Sequence, residues 1–349
     1  MKRKKTAAMP KKISVREVAA AAGVSIGSVS RVLNGNGYVS ADLSARVLQA
    51  VDELGYCPNA NARGLRMGSS RTIGCLVPDI SNPLYASYVA AAEARLLEDG
   101  YMLLLGSTRG LLTRERELIR LFESRGMDGI IATTVNEEKA ESGETFAQCR
   151  IPVVIVDRDM GSKYDMVSFD HRNGVRHAVA YLFSLGHERI VLLTPGTEIR
   201  PGRERIVGYK EAYAAAGRKA DPRFIVGVNP RLTSSYDDMK LLLSQPNPPT
   251  AVIGLGTHVL SDAARAIYER GLTIPQGFSM IAIGTADSVG FANPPLTMLR
   301  LDIDAHARSA VELLLERIRL GPQSPRRHIT KAIDLTIAGS CAPCKSAKL

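Results

Sequence analysis

No run of apolar residues is long enough to cross a membrane, and the basic first 12 residues lack the apolar stretch that follows in a secretion signal. We therefore expect the chain to remain in the cytoplasm. The 5 cysteines are an odd number and lie scattered, which indicates reduced thiols. Cys341 and Cys344 form a close pair, but zinc would need a second pair, so we predict no metal site.

Common enzyme motifs are also missing. The sequence has no G-x-G-x-x-G after a predicted strand, no phosphate-binding loop, no G-x-S-x-G and no H-E-x-x-H, and its 6 histidines are scattered. We predict that the chain is not an enzyme and needs no cofactor. Its 349 residues, 45% of them apolar, predict two or three domains.

Positive charge is concentrated near the start of the chain. Residues 1–71 carry 12 Lys and Arg and 4 Asp and Glu, a balance of +8, whereas the other 278 residues carry 33 and 31, a balance of +2. A solvated basic face is one interpretation, but concentration on one small domain is typical of a surface that binds phosphates. Residues 1–12 are predicted to be a disordered basic arm.

The stretch 13–34 predicts two short helices. Ser14 and Glu17 have the spacing of a capping box, Gly23 allows a left-handed turn, and Ser25 can cap the second helix. This layout is typical of a helix-turn-helix, whose second helix enters the DNA major groove. An ordinary helical hairpin is the alternative.

A third helix is predicted to begin after Ser40 and to end at Gly55. Its apolar residues recur at helical spacing, and we predict that the whole stripe is core. The stripe comprises Leu43, Val47, Leu48, Val51 and Leu54.

The segments VREVAAAAGVSIGSVSRVLNG and VSADLSARVLQAVDELGYCPNANARGL resemble the head of a LacI/GalR-type bacterial transcription repressor, and the resemblance extends to about Ala342. It implies a homodimer that binds a near-palindromic DNA operator and responds to a small-molecule effector. The helix-turn-helix domain would span 13–57. A hinge helix and linker would span 58–71, with Leu65 wedged into the minor groove, although a plain linker is the alternative.

The resemblance also implies a set of DNA contacts. Arg31 can donate two hydrogen bonds to a guanine edge and Ile26 suits a thymine methyl. Gly27 stands where many relatives have a reading side chain, which predicts either weaker selection at that base pair or a closer approach to the DNA. The serines would mainly hold phosphates. The full set is Ser14, Ser25, Ile26, Gly27, Ser28, Ser30, Arg31, Asn34, Tyr38, Asn59, Ala62, Arg63 and Leu65.

From Thr72 the chain alternates short apolar strands with helices, which predicts an α/β fold of two doubly wound halves. The resemblance implies a periplasmic-binding-protein-like core at 72–342, which follows the N-terminal all-α domain. Its predicted boundaries are an N-subdomain at about 72–162 and 292–325, a C-subdomain at about 163–291 and 326–342, and a tail at 343–349.

Effector contacts are expected between the halves, at the ends of strands. The segment from Asp79 to Tyr85 resembles the family's pocket rim, and Arg205 matches a position that commonly grips the ligand, although a surface arginine is the alternative. The predicted set is Asp79, Asn82, Leu84, Tyr85, Ser107, Asp157, Arg205, Gly256 and Gly284.

Two departures from the family bear on the ligand. Sugar-responsive relatives usually carry Asn-Asp and Asp-Asp where this chain has Gly256-Thr257 and Gly284-Thr285. An unpaired sugar hydroxyl in a dry cleft costs about 1–3 kcal/mol. Because Arg158, Arg203 and Arg205 remain, we expect an anionic or weakly polar effector, or none, rather than a neutral sugar.

Two other functional classes fit a doubly wound core. A solute-binding transport protein is disfavoured by the missing export signal and the attached DNA-binding module, and an enzyme is disfavoured by the missing motifs. The end of the chain carries no leucine heptad, so nothing in the sequence supports a tetramer.

Overall fold

The computed structural model describes residues 13–34, 38–56, 68–228, 235–285, 290 and 292–344. Within it the chain divides into two compact units at Ser70 and Arg71. Several predictions lie outside the described residues, namely the arm at 1–12, most of the hinge helix with Asn59, Ala62, Arg63 and Leu65, and the last residues of the tail, 345–349.

The first unit contains three helices. They are α1 (Val15–Ala22), α2 (Ile26–Asn34) and α3 (Ala41–Leu54). Their buried core consists of small and β-branched side chains, Val18, Ala19, Ala22, Val29, Val47 and Ala50. Of the predicted stripe of α3, Val47 is buried and Val51 and Leu54 pack on the core. Leu43 is only half-buried and Leu48 is 53% exposed, so the prediction that the whole stripe is core was wrong at these two positions.

The second unit alternates strands and helices. The helices are α4 (Pro83–Glu98), α5 (Leu112–Ser124), α6 (Ala140–Ala147), α7 (His171–Ser184), α8 (Arg200–Ala215), α9 (Ser235–Leu243), α10 (His258–Glu269) and α11 (Ile303–Leu320). The strands are β1 (Thr72–Val77), β2 (Met102–Ser107), β3 (Gly129–Ala132), β4 (Val153–Val156), β5 (Asp165–Phe169), β6 (Ile190–Thr194), β7 (Ile225–Gly227), β8 (Ala251–Leu255), β9 (Ser279–Gly284), β10 (Thr297–Arg300), β11 (His328–Lys331) and β12 (Asp334–Thr336).

The strands form two sheets of six, which define the two halves of this unit. The first has the order β11-β5-β4-β3-β1-β2 and the second β12-β10-β9-β8-β6-β7. Every pair is parallel except β10 with β12. Central strands such as β4 and β8 are buried along their whole length because helices cover both faces.

The chain passes between the halves three times. β5 pairs with β4 in the first sheet, and α7 then packs in the second half against α8. β10 belongs to the second sheet, and α11 returns to pack on the first. Finally β11 pairs with β5, and β12 pairs with β10.

These crossings correct the predicted subdomain boundaries. The boundaries at 163 and 326 placed Asp165–Phe169 and His328–Lys331 in the second half, but both strands lie in the first sheet. The boundary at 292 placed Thr297–Arg300 in the first half, but that strand lies in the second sheet. The predictions were wrong because short strands of either sheet look alike in sequence, and long-range pairing decides which sheet each one joins.

Helices α7 and α8 approach each other closely at a glycine. A β-carbon at Gly208 of α8 would overlap the carbonyl oxygen of Arg172 in α7. Only a residue without a side chain fits there unless the backbone shifts. This contact fixes α8, which carries the arginines of the site described below.

We expect Gly208→Ala to lower the free energy of unfolding by about 1–3 kcal/mol, because overpacking forces the two helix backbones apart. Gly143→Ala in α6 is the matched control, since a β-carbon there meets nothing within 4 Å. The control should gain about 0.5–1 kcal/mol from the higher helix propensity of alanine. Urea unfolding measures both, and equal stability of the two variants would contradict the prediction.

Candidate DNA-reading surface and effector cleft

The predicted capping box at the start of α1 is confirmed. The Ser14 backbone N–H donates to Glu17 Oε2 at 2.7 Å, and the Glu17 N–H donates to Ser14 Oγ. Gly23 ends the helix in the left-handed conformation at φ 63°. Two crossed helices joined by so short a turn fix the direction in which α2 presents its outer face.

The outer face of α2 is exposed as predicted. Ile26 is 41% exposed, and Gly27 and Arg31 also face solvent, whereas Val29 is fully buried. Tyr38, beyond the helix, is 96% exposed. An exposed apolar side chain beside an exposed arginine is unusual for a purely structural helix and suits contact with base edges.

The serines of this region have local roles too. Ser25 Oγ accepts the Ser28 backbone N–H at 3.1 Å and therefore caps α2, as predicted, and it also contacts Ser28 Oγ at 3.0 Å. Ser28 and Ser30 are half-buried. Asn34 is the last residue of α2, and its side chain lies outside the described part of the structure.

In the second unit, polar side chains from both halves converge on Asp157, directly after β4. His171, the first residue of α7, places Nε2 2.9 Å from Asp157 Oδ2, and Arg200 of α8 lies 3.7 Å from Oδ1. The Phe169 backbone N–H donates to the same carboxylate. Asp157 has φ 49°, a left-handed conformation that costs a non-glycine residue energy and often marks a functional site.

The hydrogen-bond partners of His171 determine which of its ring nitrogens carries the proton. A carboxylate only accepts and a guanidinium only donates, so Nε2–H donates to Asp157, and Nδ1 accepts from Arg205 Nη2 at 3.4 Å. Burial lowers the pKa of His171, which favours this neutral form. Burial alone would raise the pKa of Asp157, but His171 and Arg158 outweigh it and lower that pKa, so the carboxylate stays ionised.

Arg205 is the least satisfied cation of the cluster. It is only 3% exposed, and its Nε and Nη1 atoms are buried without a hydrogen-bond partner in the described structure. Burial lowers its pKa to about 10 despite the attraction of Asp157. Two buried nitrogens whose N–H groups find no acceptor are costly, and a ligand that supplies the acceptors would remove that cost.

Arg158, by contrast, is held by the first half. Its Nε donates to the Thr134 carbonyl at 2.9 Å, Nη1 donates to the Asp157 carbonyl at 2.9 Å, and Nη2 donates to the Tyr85 hydroxyl at 3.4 Å. Arg158 therefore positions Tyr85 and supplies positive charge, while its hydrogen bonds are already made.

Arg203 links the two halves across the cleft. This α8 residue pairs with Glu137 and, at 3.3 Å, with Glu138, both in the loop after β3. Burial raises the pKa of Glu137, although the Asp159 N–H, Arg158 and Arg203 oppose the shift. Arg203 was expected to make the cleft less acidic, but Glu137 and Glu138 already match its charge.

The other predicted effector residues have mainly backbone or capping roles here. Asp79 Oδ1 accepts the Ser81 N–H at 3.0 Å, Asn82 caps α4 at the Leu84 N–H, and Leu84 packs on the core. The other three predicted residues lie at strand ends: Ser107 ends β2, Gly256 follows β8 and Gly284 ends β9. No hydrogen bond joins these three to Arg205 in the described residues.

The two units match two family models. Residues 14–59 match the bacterial regulatory proteins of the lacI family, and residues 179–341 match a periplasmic binding protein-like domain. The ribose operon repressor of Escherichia coli K12 is 30% identical over 308 residues, which cover 87% of this chain and 93% of that protein. The chain belongs to the LacI family. It is therefore a DNA-binding transcription regulator and not an enzyme.

Further LacI-family proteins share both units. The HTH-type transcriptional repressor PurR of Vibrio atlanticus is 31% identical over 309 residues, covering 88% of this chain and 92% of that one. The solved structure of the Lac repressor bound to ONPG in its repressed state superposes with a TM-score of 0.82 at 22% identity, over 95% of this chain and all of the other. That match supports the fold.

Four residues of this cluster were not predicted from the sequence, namely His171, Arg200, Glu137 and Glu138. His171 directly follows the capping residue Asp170 and Glu137 lies in a polar loop, so neither stands in a motif. Among the described residues no helix is long and apolar enough to span a membrane. The same residues contain no group of three or more His, Cys, Asp or Glu side chains that could hold a metal ion.

Proposed function

We propose that this regulator is a cytoplasmic homodimeric repressor, which binds a near-palindromic operator and is controlled by a small anionic effector in the cleft between its halves. The observation that carries the effector proposal is Arg205, a buried arginine with two unpartnered nitrogens at the meeting point of both halves. The ribose operon repressor and PurR, by their names, are repressors, which supports the same role here.

The charge of the cleft favours an anion. Four arginines lie at it, Arg158, Arg200, Arg203 and Arg205, and three carboxylates face them, Asp157, Glu137 and Glu138. His171 is neutral, so among these side chains the arginines exceed the carboxylates by one. A small monocarboxylate, such as a sugar acid, would match that excess and accept from Arg205.

Control of DNA binding follows from where the ligand would sit. Asp157 belongs to the first half, whereas His171, Arg200 and Arg205 belong to the second, so a ligand between them favours one relative arrangement of the halves. Such a ligand shifts the population only by its difference in affinity for the two arrangements. Near-palindromic half-sites would place one α2 of each subunit in the major groove.

The DNA side of the proposal is tested by Arg31→Ala. We expect it to cost about 1–3 kcal/mol of operator affinity and to relax selection at one base position of each half-site, because a bidentate guanine contact is lost. Sites selected from random duplexes, followed by titration, measure both effects.

The matched control is Arg46→Ala on α3, an exposed arginine paired with Asp42 at 3.3 Å. It removes the same charge from the same unit, so it should weaken all sequences alike and leave base selection unchanged. If Arg31→Ala selects the same sites as the wild type, Arg31 does not read a base, and if the wild type prefers no site, the operator proposal fails.

A further inference from the structure

A second concave site lies in the first half of the core, between α5 and α6. Its volume is about 770 Å³. The lining residues come from the outer side of α5 and from the end of α6 with the loop that follows, Arg116, Ile119, Arg120, Glu123, Ser124, Thr145, Gln148, Arg150 and Ile151. We call it the α5–α6 groove. None of these residues belongs to the cluster around Asp157.

Three arginines line the groove. Arg116, Arg120 and Arg150 form no ion pair within 4 Å with a carboxylate of the described residues, unlike Arg95 and Arg308 on neighbouring helices of the same half. Arg116 and Arg120 are one helical turn apart, a spacing at which like charges repel. An anion held in the groove would offset that repulsion.

Glu123 is the only acidic residue that lines the groove, and it is partly engaged. Its Oε1 accepts the Arg150 backbone N–H at 2.6 Å, which fixes the loop that carries Arg150. The lining thus holds three cations and one anion, an excess of two positive charges in a core that is otherwise almost neutral.

We propose that the α5–α6 groove binds a small phosphate-bearing molecule. A guanidinium binds phosphate oxygens in pairs, which a lysine ammonium does not, and every cation lining the groove is an arginine. Ile151 is only partly buried and offers apolar surface to the uncharged part of the ligand. The volume of the groove lies in the range of small-molecule sites. An excess of two charges matches the dianion of a phosphate ester.

The test is calorimetric titration of the full-length protein with inorganic pyrophosphate at constant ionic strength. Arg116→Gln with Arg120→Gln should weaken binding by at least about tenfold, because the paired hydrogen bonds and the charge are both lost. Arg116→Lys with Arg120→Lys keeps the charge and should give an intermediate loss. The unfolding midpoints of both double variants should match that of the wild type, which checks that α5 tolerates the substitutions.

The matched control is Arg114→Gln with Arg125→Gln, two exposed arginines at α5 that do not line the groove. It should bind pyrophosphate within about twofold of the wild type, since the charge removed is exposed, screened by salt and outside the groove lining. Equal losses in both double variants would reduce the effect to net charge and overturn the proposal. Unchanged binding in both, or no binding by the wild type, would overturn it as well.

The remaining alternative is that the groove arginines contact the DNA backbone, and a titration with duplex DNA of random sequence tests it. If the groove variant, but not its control, loses affinity for the duplex, the arginines contact the DNA backbone and the small-ligand proposal is overturned. We expect both double variants to bind that duplex alike. Failure of the groove proposal would not bear on the proposed effector cleft, because the cleft is tested separately, at Arg205 and with monocarboxylates.

Discussion

Arg205→Met should abolish the response to anionic effectors while leaving the ligand-free protein at least as stable as the wild type. The expected loss of affinity is about 2–5 kcal/mol, because a buried charge that hydrogen-bonds its partner is removed. Stability should rise by about 1–3 kcal/mol, because two buried nitrogens that have no acceptor among the described residues disappear. The lowered pKa of Arg205 supports this expectation, because it shows that the folded protein disfavours the charged form of the side chain.

Thermal unfolding in the presence of sugar acids and short hydroxy acids measures both effects. Lys210→Met is the matched control, because it removes a positive charge from the same helix at an exposed position. It should keep the wild-type response to each acid. A wild type stabilised only by neutral mono- or disaccharides would contradict the anionic effector, and a clear fall in stability of Arg205→Met would show that Arg205 is a structural cation.

His306→Phe should remove a large part of the loss of stability on acidification. His306 is fully buried in α11, stacked on Phe169 at 4.2 Å between ring centroids and edge-on to Tyr88, and neither ring nitrogen has a hydrogen bond of normal geometry among the described residues. Burial lowers its pKa from 6.5 to about 4, although Asp157 and the Val167 backbone oppose the shift. Phenylalanine keeps the stacking and cannot take up the proton.

The direction of the effect follows from the two pKa values. The unfolded chain binds a proton at His306 below pH 6.5 and the folded protein only below about 4, so the stability present above 6.5 is lost as the pH falls through this window. His306 alone should cost the wild type about 2 kcal/mol between about pH 7 and pH 5. Burial lowers the pKa of His171 and His187 too, so a smaller dependence should persist in the variant.

Urea unfolding at the two pH values measures this difference. His177→Gln on α7 is the control, because it removes an imidazole that faces solvent instead of a buried one. If His306→Phe and the wild type lose the same free energy, the buried imidazole is not the group that responds to acid.

Local structure was predictable because its causes lie close together in sequence. The capping box joins Ser14 to Glu17, and the turn at Gly23 depends on one residue, so both could be predicted without knowledge of the rest of the fold. The doubly wound class followed from the apolar strands in the same way. The sheet to which β5, β10 and β11 belong could not be predicted, because pairing partners lie far along the chain.

The site was predictable only in part, for the same reason. Resemblance to the family indicated Asp157 and Arg205 separately, but the neutral histidine that lies between them shares no motif with either. The pairing of Arg203 with Glu137 spans 66 positions and depends on how the two halves face each other. Charge counted along a sequence therefore overstated the free cations of the cleft.

The three passages of the chain between the halves limit how such a protein can evolve. A gene segment that ended after β5 would lack β11, a strand of the first sheet, and α11, a helix that covers that sheet. Neither half can therefore be gained, lost or exchanged as one continuous gene segment. New ligand preferences must then arise by substitutions at the facing surfaces of an intact core. The three-helix unit is continuous and ends at Ser70, so recombination can exchange it whole, and target sequence and signal can diverge independently.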